Sequence, residues 1–450
     1  MIRRSNRALV LIWLLAILVA PSVVSAQTPT TEVQPAEVRR PFRGLFGAPG
    51  LPGSKQTLDF SASLYGAYDD DVFADQAGLA LSSGLQRSGW FGGLESGLNY
   101  TRRGRRIGFG ADAGIGVTAY PDEPLYVVYR TGANFNAPLA RHTSLALSES
   151  FVYAPEYRLG LFVDPTNSRV FDDPFGSVVP DLGLFRERSY RTNSNVGITQ
   201  TFRDESSLSG FYSIATANYE SNDLNYINQG AGVRYQRQLT RNAGLHVGYG
   251  YGGGRYPNMN NLSRRGIHNI DVGVDYGRAL SVSRRTQFSF STGSALFYVN
   301  QGVSNGADRR LDFALLGSAN LSHEMGRTWT ASIAYQRSVA FHEGFVDPFL
   351  AQSVSATLKG LLSRRLQFNA ATSYSRGVVG ANSNNNFDST GANAGLQYAL
   401  SRFFAAYVNY VYYQYSFPAG IAVDPRFPPS LSRNGVRFGI TTSIPVIRAK

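Results

Sequence analysis

From residue 57 to near residue 448, apolar side chains recur at every second position in one segment after another. Leu58, Phe60, Ala62, Leu64, Gly66 and Tyr68 alternate with Asp59, Ser61, Ser63 and Tyr65. Ile107, Phe109, Ala111, Ala113, Ile115 and Val117 alternate with Gly108, Gly110, Asp112, Gly114 and Thr118. The same beat returns at Ile270–Tyr276, Trp329–Tyr335 and Leu366–Tyr374. Consecutive side chains of a strand point to opposite faces, so each segment has one greasy and one polar side. Nothing in this region resembles a membrane-spanning helix.

A soluble β-sandwich would show the same alternation, and three further features exclude it. The segments run to about 11–14 residues, longer than soluble strands and right for a tilted bilayer crossing. Tight turns and longer loops alternate along the chain, as an outer-membrane barrel requires. The apolar faces end in aromatic residues at Tyr68, Tyr100, Tyr129, Tyr153, Tyr276, Tyr335 and Phe341, which reads as interfacial girdles. The expected fold is therefore all-β: a transmembrane antiparallel up-and-down β-barrel of about 18 strands, occupying residues 57–450. Sixteen strands is the alternative, because Phe211 and Tyr212 blur one strand and the tyrosine-rich 403–416 is apolar on both faces. Glu149 falls on the greasy face of its segment, which implies a bulge, a register error or a charge near the interface.

Residues 1–26 read as a signal peptide. Arg3, Arg4 and Arg7 precede an unbroken apolar run from Ala8 to Ala20, and Val24-Ser25-Ala26 supplies small residues before a cut ahead of Gln27. The run is too short to span a bilayer. Removing those three arginines leaves 40 basic against 31 acidic residues, a net +9. For an exported protein that excess suits lipid phosphates or anionic solutes rather than nucleic acid. Residues 27–56, rich in Pro, Thr and Gly, read as a flexible periplasmic lead-in. The chain has no cysteine, which rules out disulfides, thiolate metal sites, cysteine catalysis and a lipoprotein anchor.

The turns carry a signature. Leu139-Ala140-Arg141, Leu239-Thr240-Arg241, Leu362-Ser363-Arg364 and Leu400-Ser401-Arg402 each close a hairpin, and arginines mark the other short turns. The longer loops are acidic, as at Asp69-Asp70-Asp71, Asp122-Glu123 and Asp172-Asp173. Short turns face the periplasm, so the acidic loops face outside.

Catalytic signals are weak, and the expectation is a non-enzyme with no cofactor and no bound metal. Gly248, Gly250 and Gly253 fit GxGxxG, but inside a strand with no following helix. The five histidines lack metal-ligand spacing. His142-Thr143-Ser144 could pair a nucleophile with a base, as in an outer-membrane lipid hydrolase, yet it sits at a periplasmic turn. Asp69-Asp70-Asp71 with Asp75 could hold Ca²⁺ or be a solvated acidic loop. Transport signals are stronger. A barrel this wide leaves an aqueous lumen. Alternation assigns Arg130, Arg234, Arg310, Arg437, Asp112, Asp271, Asp275 and Asp312 to its wall, where they either select solutes or pair with one another.

The longest connection, Ala154 to Arg188, is the third external loop. In strand number, loop order and Leu-Ser-Arg turns the chain resembles outer-membrane porins, including poorly characterised porin families, some of which accompany exopolysaccharide export. That resemblance implies passive diffusion of small hydrophilic solutes, with polysaccharide export or surface assembly as the alternative. It also implies that the third loop folds inward, which would make Asp164, Asp172, Asp173 and Asp181 a constriction. The implied partners are outer-membrane lipids, lipopolysaccharide, the barrel-assembly machinery and small solutes or saccharides; monomer and homo-trimer both stay open. Porins usually end in an aromatic residue, whereas this chain ends Val446-Ile447-Arg448-Ala449-Lys450.

Overall fold

The computed structural model describes residues 44–47, 55–70, 89–104, 106–121, 125–158, 183–202, 205–221, 225–255, 265–280, 285–300, 309–341, 348–379, 386–417 and 430–449. Eighteen strands follow one another. They are β1 (Gln56–Asp69), β2 (Gly89–Arg103), β3 (Gly108–Ala119), β4 (Tyr126–Ala140), β5 (Thr143–Arg158) and β6 (Gly183–Phe202). Then come β7 (Ser206–Tyr219), β8 (Tyr226–Gln238), β9 (Ala243–Arg255), β10 (Arg265–Ala279), β11 (Thr286–Asn300) and β12 (Arg309–Met325). The last six are β13 (Trp329–Ala340), β14 (Phe349–Leu361), β15 (Leu366–Val379), β16 (Asn386–Ala399), β17 (Phe404–Ser416) and β18 (Ser430–Ala449).

Each strand pairs antiparallel with its sequence neighbours, and β1 pairs with both β2 and β18. The sheet therefore closes without an edge, which is what backbone polar groups in lipid require. Gln56 lies opposite Ala449, so the first and last strands begin and end at the same rim, beside the short turns. That rim is periplasmic by the rule of short turns.

The outer face is greasy. Leu64, Leu94, Leu98, Ile115, Val247, Val272, Leu315, Ile333 and Ile440 all stand exposed on it. Burying such surface in water would have no partner, whereas in a bilayer the lipid supplies one. Aromatic rings close both ends of this band. Tyr68 lies against Trp90 and Tyr153 against Tyr190, ring centroids 5.2 Å apart in each tilted pair, on the extracellular side. Tyr100–Phe109 at 6.1 Å and Tyr276–Phe290 at 5.6 Å mark the periplasmic side. The chain is an outer-membrane β-barrel. Phe341, expected in the girdle, is instead buried, and its ring lies 3.2 Å from where Gly254 would carry a Cβ. It follows the last residue of β13, so strand parity no longer dictates its direction.

Two ambiguous strands are resolved in favour of 18. On β7, Tyr212 faces out, while the Phe211 ring lies over Gly232 on the inner face. On β17, Tyr407 faces inward, where its hydroxyl meets Ser63 at 2.9 Å, and Tyr413 and Tyr415 share that side. Glycine on one strand makes room for an aromatic ring of the next. Both strands read as apolar on two faces because their inner rings are packed.

Glu149 stands exposed on the outer wall opposite Ala133 and Ser194, with no register shift near it. It is a charge on the membrane face, four residues below Tyr153. Thr192 and Thr216, 3.0 Å apart on β6 and β7, share that face. The connection expected over 154–188 is shorter, because β5 and β6 continue pairing out to Arg158 and Gly183. Above the bilayer no face needs to be greasy, so alternation fades while the ladder goes on.

Three of the four repeated turns share a mechanism; the fourth has Ala140 at the capping place. Ser363 Oγ accepts the N–H groups of Arg365 and Leu366 at 3.2 and 3.0 Å, and Ser401 Oγ those of Phe403 and Phe404 at 3.1 Å each. Thr240 Oγ1 does the same for Asn242 and Ala243. A hydroxyl at this place satisfies donors that the tight turn orphans.

Candidate functional site

The inner wall is the candidate site, and its two halves differ. In the periplasmic half, Asn99, Thr101, Asn134, Ser148, Asn195, Ser289, Asn320, Ser332, Thr357 and Gln367 are partly exposed. These small polar groups make a wettable vestibule. In the extracellular half, the lumen-facing Ala67, Phe91, Tyr126, Ala154, Ser189, Ala217, Ile267, Ala295, Phe349, Phe387, Tyr413 and Tyr415 are buried. Rings there run in series, with Phe387 5.0 Å from Phe349 and 6.1 Å from Phe417, and Phe417 5.3 Å from Tyr415. The wall of the outer half therefore carries a layer of packed side chains rather than small exposed ones.

Charges on the wall meet across intervening strands. Arg437 of β18 reaches over β1 to Glu95 of β2 at 3.1 Å, and its guanidinium lies 4.0 Å from the Tyr65 ring centroid. Arg234 of β8 reaches over β9 to Asp275 of β10, donating to both carboxylate oxygens at 3.0 and 3.2 Å. His246, on the strand between them, places Nδ1 2.8 Å from the same carboxylate, and Ser291 donates to it at 2.7 Å. Nearer the outside, Arg433 donates to Asp69 at 2.6 Å, with both side chains buried. Arg448 bonds Asp59 close to the periplasmic rim. Low-dielectric walls strengthen such contacts, and unpaired charges there would be costly.

Of the residues that alternation assigned to the wall, Arg130, Arg234, Arg437, Asp112 and Asp275 do lie on the inner face. Asp112 leans over Gly132, its carboxylate 2.7 Å from where a Cβ would sit. Arg437, Arg234 and Asp275 are held in ion pairs. Asp271, Arg310 and Asp312 stand opposite Gly248, Val299 and Phe297 in the register, and their side chains lie outside the described residues. Asp164, Asp172, Asp173 and Asp181 also lie outside them.

Several partners were missed in sequence. Glu95 occupies the polar parity of β2 and follows from the rule that found Asp112. His246 and Ser291 become partners only through the register of four strands. The acidic run at the end of β1 serves closure: Asp69 holds Arg433, and Asp70 accepts the backbone and side-chain N–H groups of Asn434 at 2.6 and 2.7 Å. Asp71 and Asp75 are outside the described residues. His142 lies in the β4–β5 turn, and the neighbouring Thr143 hydroxyl is taken by Gln200. Among the described residues no cluster of three metal-ligating side chains occurs.

No protein family and no curated protein is matched by the sequence. Solved barrels are similar in shape. OccK2 (OpdF) of Pseudomonas aeruginosa is 9% identical over 90% of this chain and 100% of its own, with a TM-score of 0.44. OccAB3 of Acinetobacter baumannii is 11% identical over 87% of this chain and 99% of its own, with a TM-score of 0.42. The FrpB iron transporter of Neisseria meningitidis is 9% identical over 88% of this chain and 83% of its own, with a TM-score of 0.45. The barrel assignment rests on the closed hydrogen-bond ladder, not on these likenesses.

Proposed function

We propose that this barrel is a porin-like channel through which small hydrophilic solutes diffuse down their gradients. The observation that carries the reading is a closed circumference of 18 strands whose periplasmic half presents small, partly exposed polar side chains to the interior. A barrel of this girth encloses more space than its side chains fill. Arg437 with Glu95, Asp112 and Arg130 supply wall charge of both signs, and pairing keeps the mean field weak. Residues 1–26 serve as the export signal, and lipid and lipopolysaccharide surround the apolar band.

Of the lumen-facing tyrosines of β17, Tyr407 is partly exposed, and the other two lend the polysaccharide reading nothing. Tyr413 and Tyr415 face the lumen but are 2% and 1% exposed, so packing occupies the ring faces that sugars would stack on.

The test is swelling of vesicles that contain the purified barrel in isosmotic solutions of sugars graded by size. Small neutral sugars should enter at rates that fall steeply with size. Swelling no faster than in protein-free vesicles would reject the channel.

A further inference from the structure

Inside the periplasmic rim, the chain ahead of β1 makes a contact that solute passage does not explain. Leu45 N–H donates to the carbonyl of Arg364 at 2.9 Å, in the β14–β15 turn. Gly47 N–H donates to the carbonyl of Arg402 at 3.3 Å, in the β16–β17 turn. Between these two bonds Phe46 is only 7% exposed, packed on Ala399 and Ala405 with Leu45 alongside.

The seat lies on the lumen side. Ala399 faces Ala405 in the β16–β17 register, one inward step from Gln397 and Tyr407. Two small side chains opposite each other leave a hollow that one ring fills. The serine caps of the two turns satisfy local donors, which leaves the following arginine carbonyls available to the incoming segment. Gly47 has a φ of +62°, a left-handed conformation that suits glycine where the chain turns away from its second bond. The two backbone bonds, the turn chemistry and the facing alanines therefore converge on one occupant, residues 45–47 of the chain itself.

We propose that Leu45–Gly47 is an intramolecular latch docked on the lumen side of the periplasmic rim, and that its release widens the mouth. The flux half of this inference rests on the channel reading; the docking half does not. Burying one phenylalanine ring shifts a docking equilibrium by roughly 10- to 100-fold. Loss of the ring thus shifts the latch toward its released state by that factor.

The chain has no cysteine, so Ala405→Cys introduces a single thiol under the latch. In that background, Phe46→Asp should speed labelling by a water-soluble maleimide by about tenfold or more, and Phe46→Leu should retain most of the protection. Heat-modified gel mobility confirms that each variant is a folded barrel. Labelling of Ala405→Cys that is equally fast with Phe46 intact would overturn the docking. In planar bilayers, Phe46→Asp should raise single-channel conductance or open time. Unchanged currents alongside accelerated labelling would overturn the gating half. A barrel that labels as expected but never conducts would refute the channel reading and leave the docking standing.

Discussion

Asp275→Ala should unfold the barrel at distinctly lower urea, because the substitution removes the acceptor at the centre of the β8–β11 wall cluster. Asp275 accepts two bonds from Arg234, one from Ser291, and lies 2.8 Å from His246 Nδ1. The Arg234 and His246 side chains are 6% and 0% exposed, so neither has water to replace the lost carboxylate. Breaking a buried pair from one side costs about 3–5 kcal/mol. Asp275 itself is 18% exposed, which places the expected loss near the lower end, about 3 kcal/mol. Arg234→Met added to Asp275→Ala removes the stranded cation and should restore about 2 kcal/mol. The assay is reversible urea unfolding in phospholipid vesicles, followed by the fluorescence of Trp90 and Trp329. A loss under about 0.5 kcal/mol, or a double variant as weak as the sum of the singles, would refute the cluster's structural role.

Three further outcomes follow from which face a residue occupies. Leu64→Arg puts a cation on the lipid side and should cost about 2–4 kcal/mol in the same unfolding assay, whereas Ser63→Arg, pointing into the lumen, should cost far less. Equal costs would mean the faces are assigned wrongly. Thr240→Ala removes a turn cap away from the latch and should cost about 0.5–1.5 kcal/mol, while leaving conductance unchanged. Gly232→Ala drives a methyl against the Phe211 ring and should cost about 1–3 kcal/mol, relieved by Phe211→Leu; no relief would place the ring elsewhere.

The membrane-spanning parts of the strands were legible in sequence because two solvents act on them. A strand between lipid and water must alternate, so residues 107–120 read almost as β3 is built. Where only one demand acts, legibility fails. β6 begins at Gly183 rather than near residue 189, since above the bilayer the ladder needs pairing but no greasy face. β17 looked ambiguous because its inner rings pack as a core does. Arg130, Arg234, Arg437, Asp112 and Asp275 lie on the face that parity gives them, yet their partners were not legible. Arg437 and Glu95 are 342 positions apart and meet only when β18 closes on β1. Phe46 gave no sign at all: its ring sits on two alanines while its neighbours Leu45 and Gly47 bond two turn carbonyls, groups without any periodic pattern.

The central claim is a water-filled passage through a closed barrel, and planar-bilayer recording of the purified full chain tests it most directly. Discrete, stable conductance steps with weak ion selectivity are expected, since Arg437–Glu95 and Arg234–Asp275 largely cancel on the wall. Asp275→Ala, by freeing a lumen cation, should move the reversal potential toward anions. A folded, inserted barrel that passes no current at any voltage, with or without the Phe46 latch, would contradict the account.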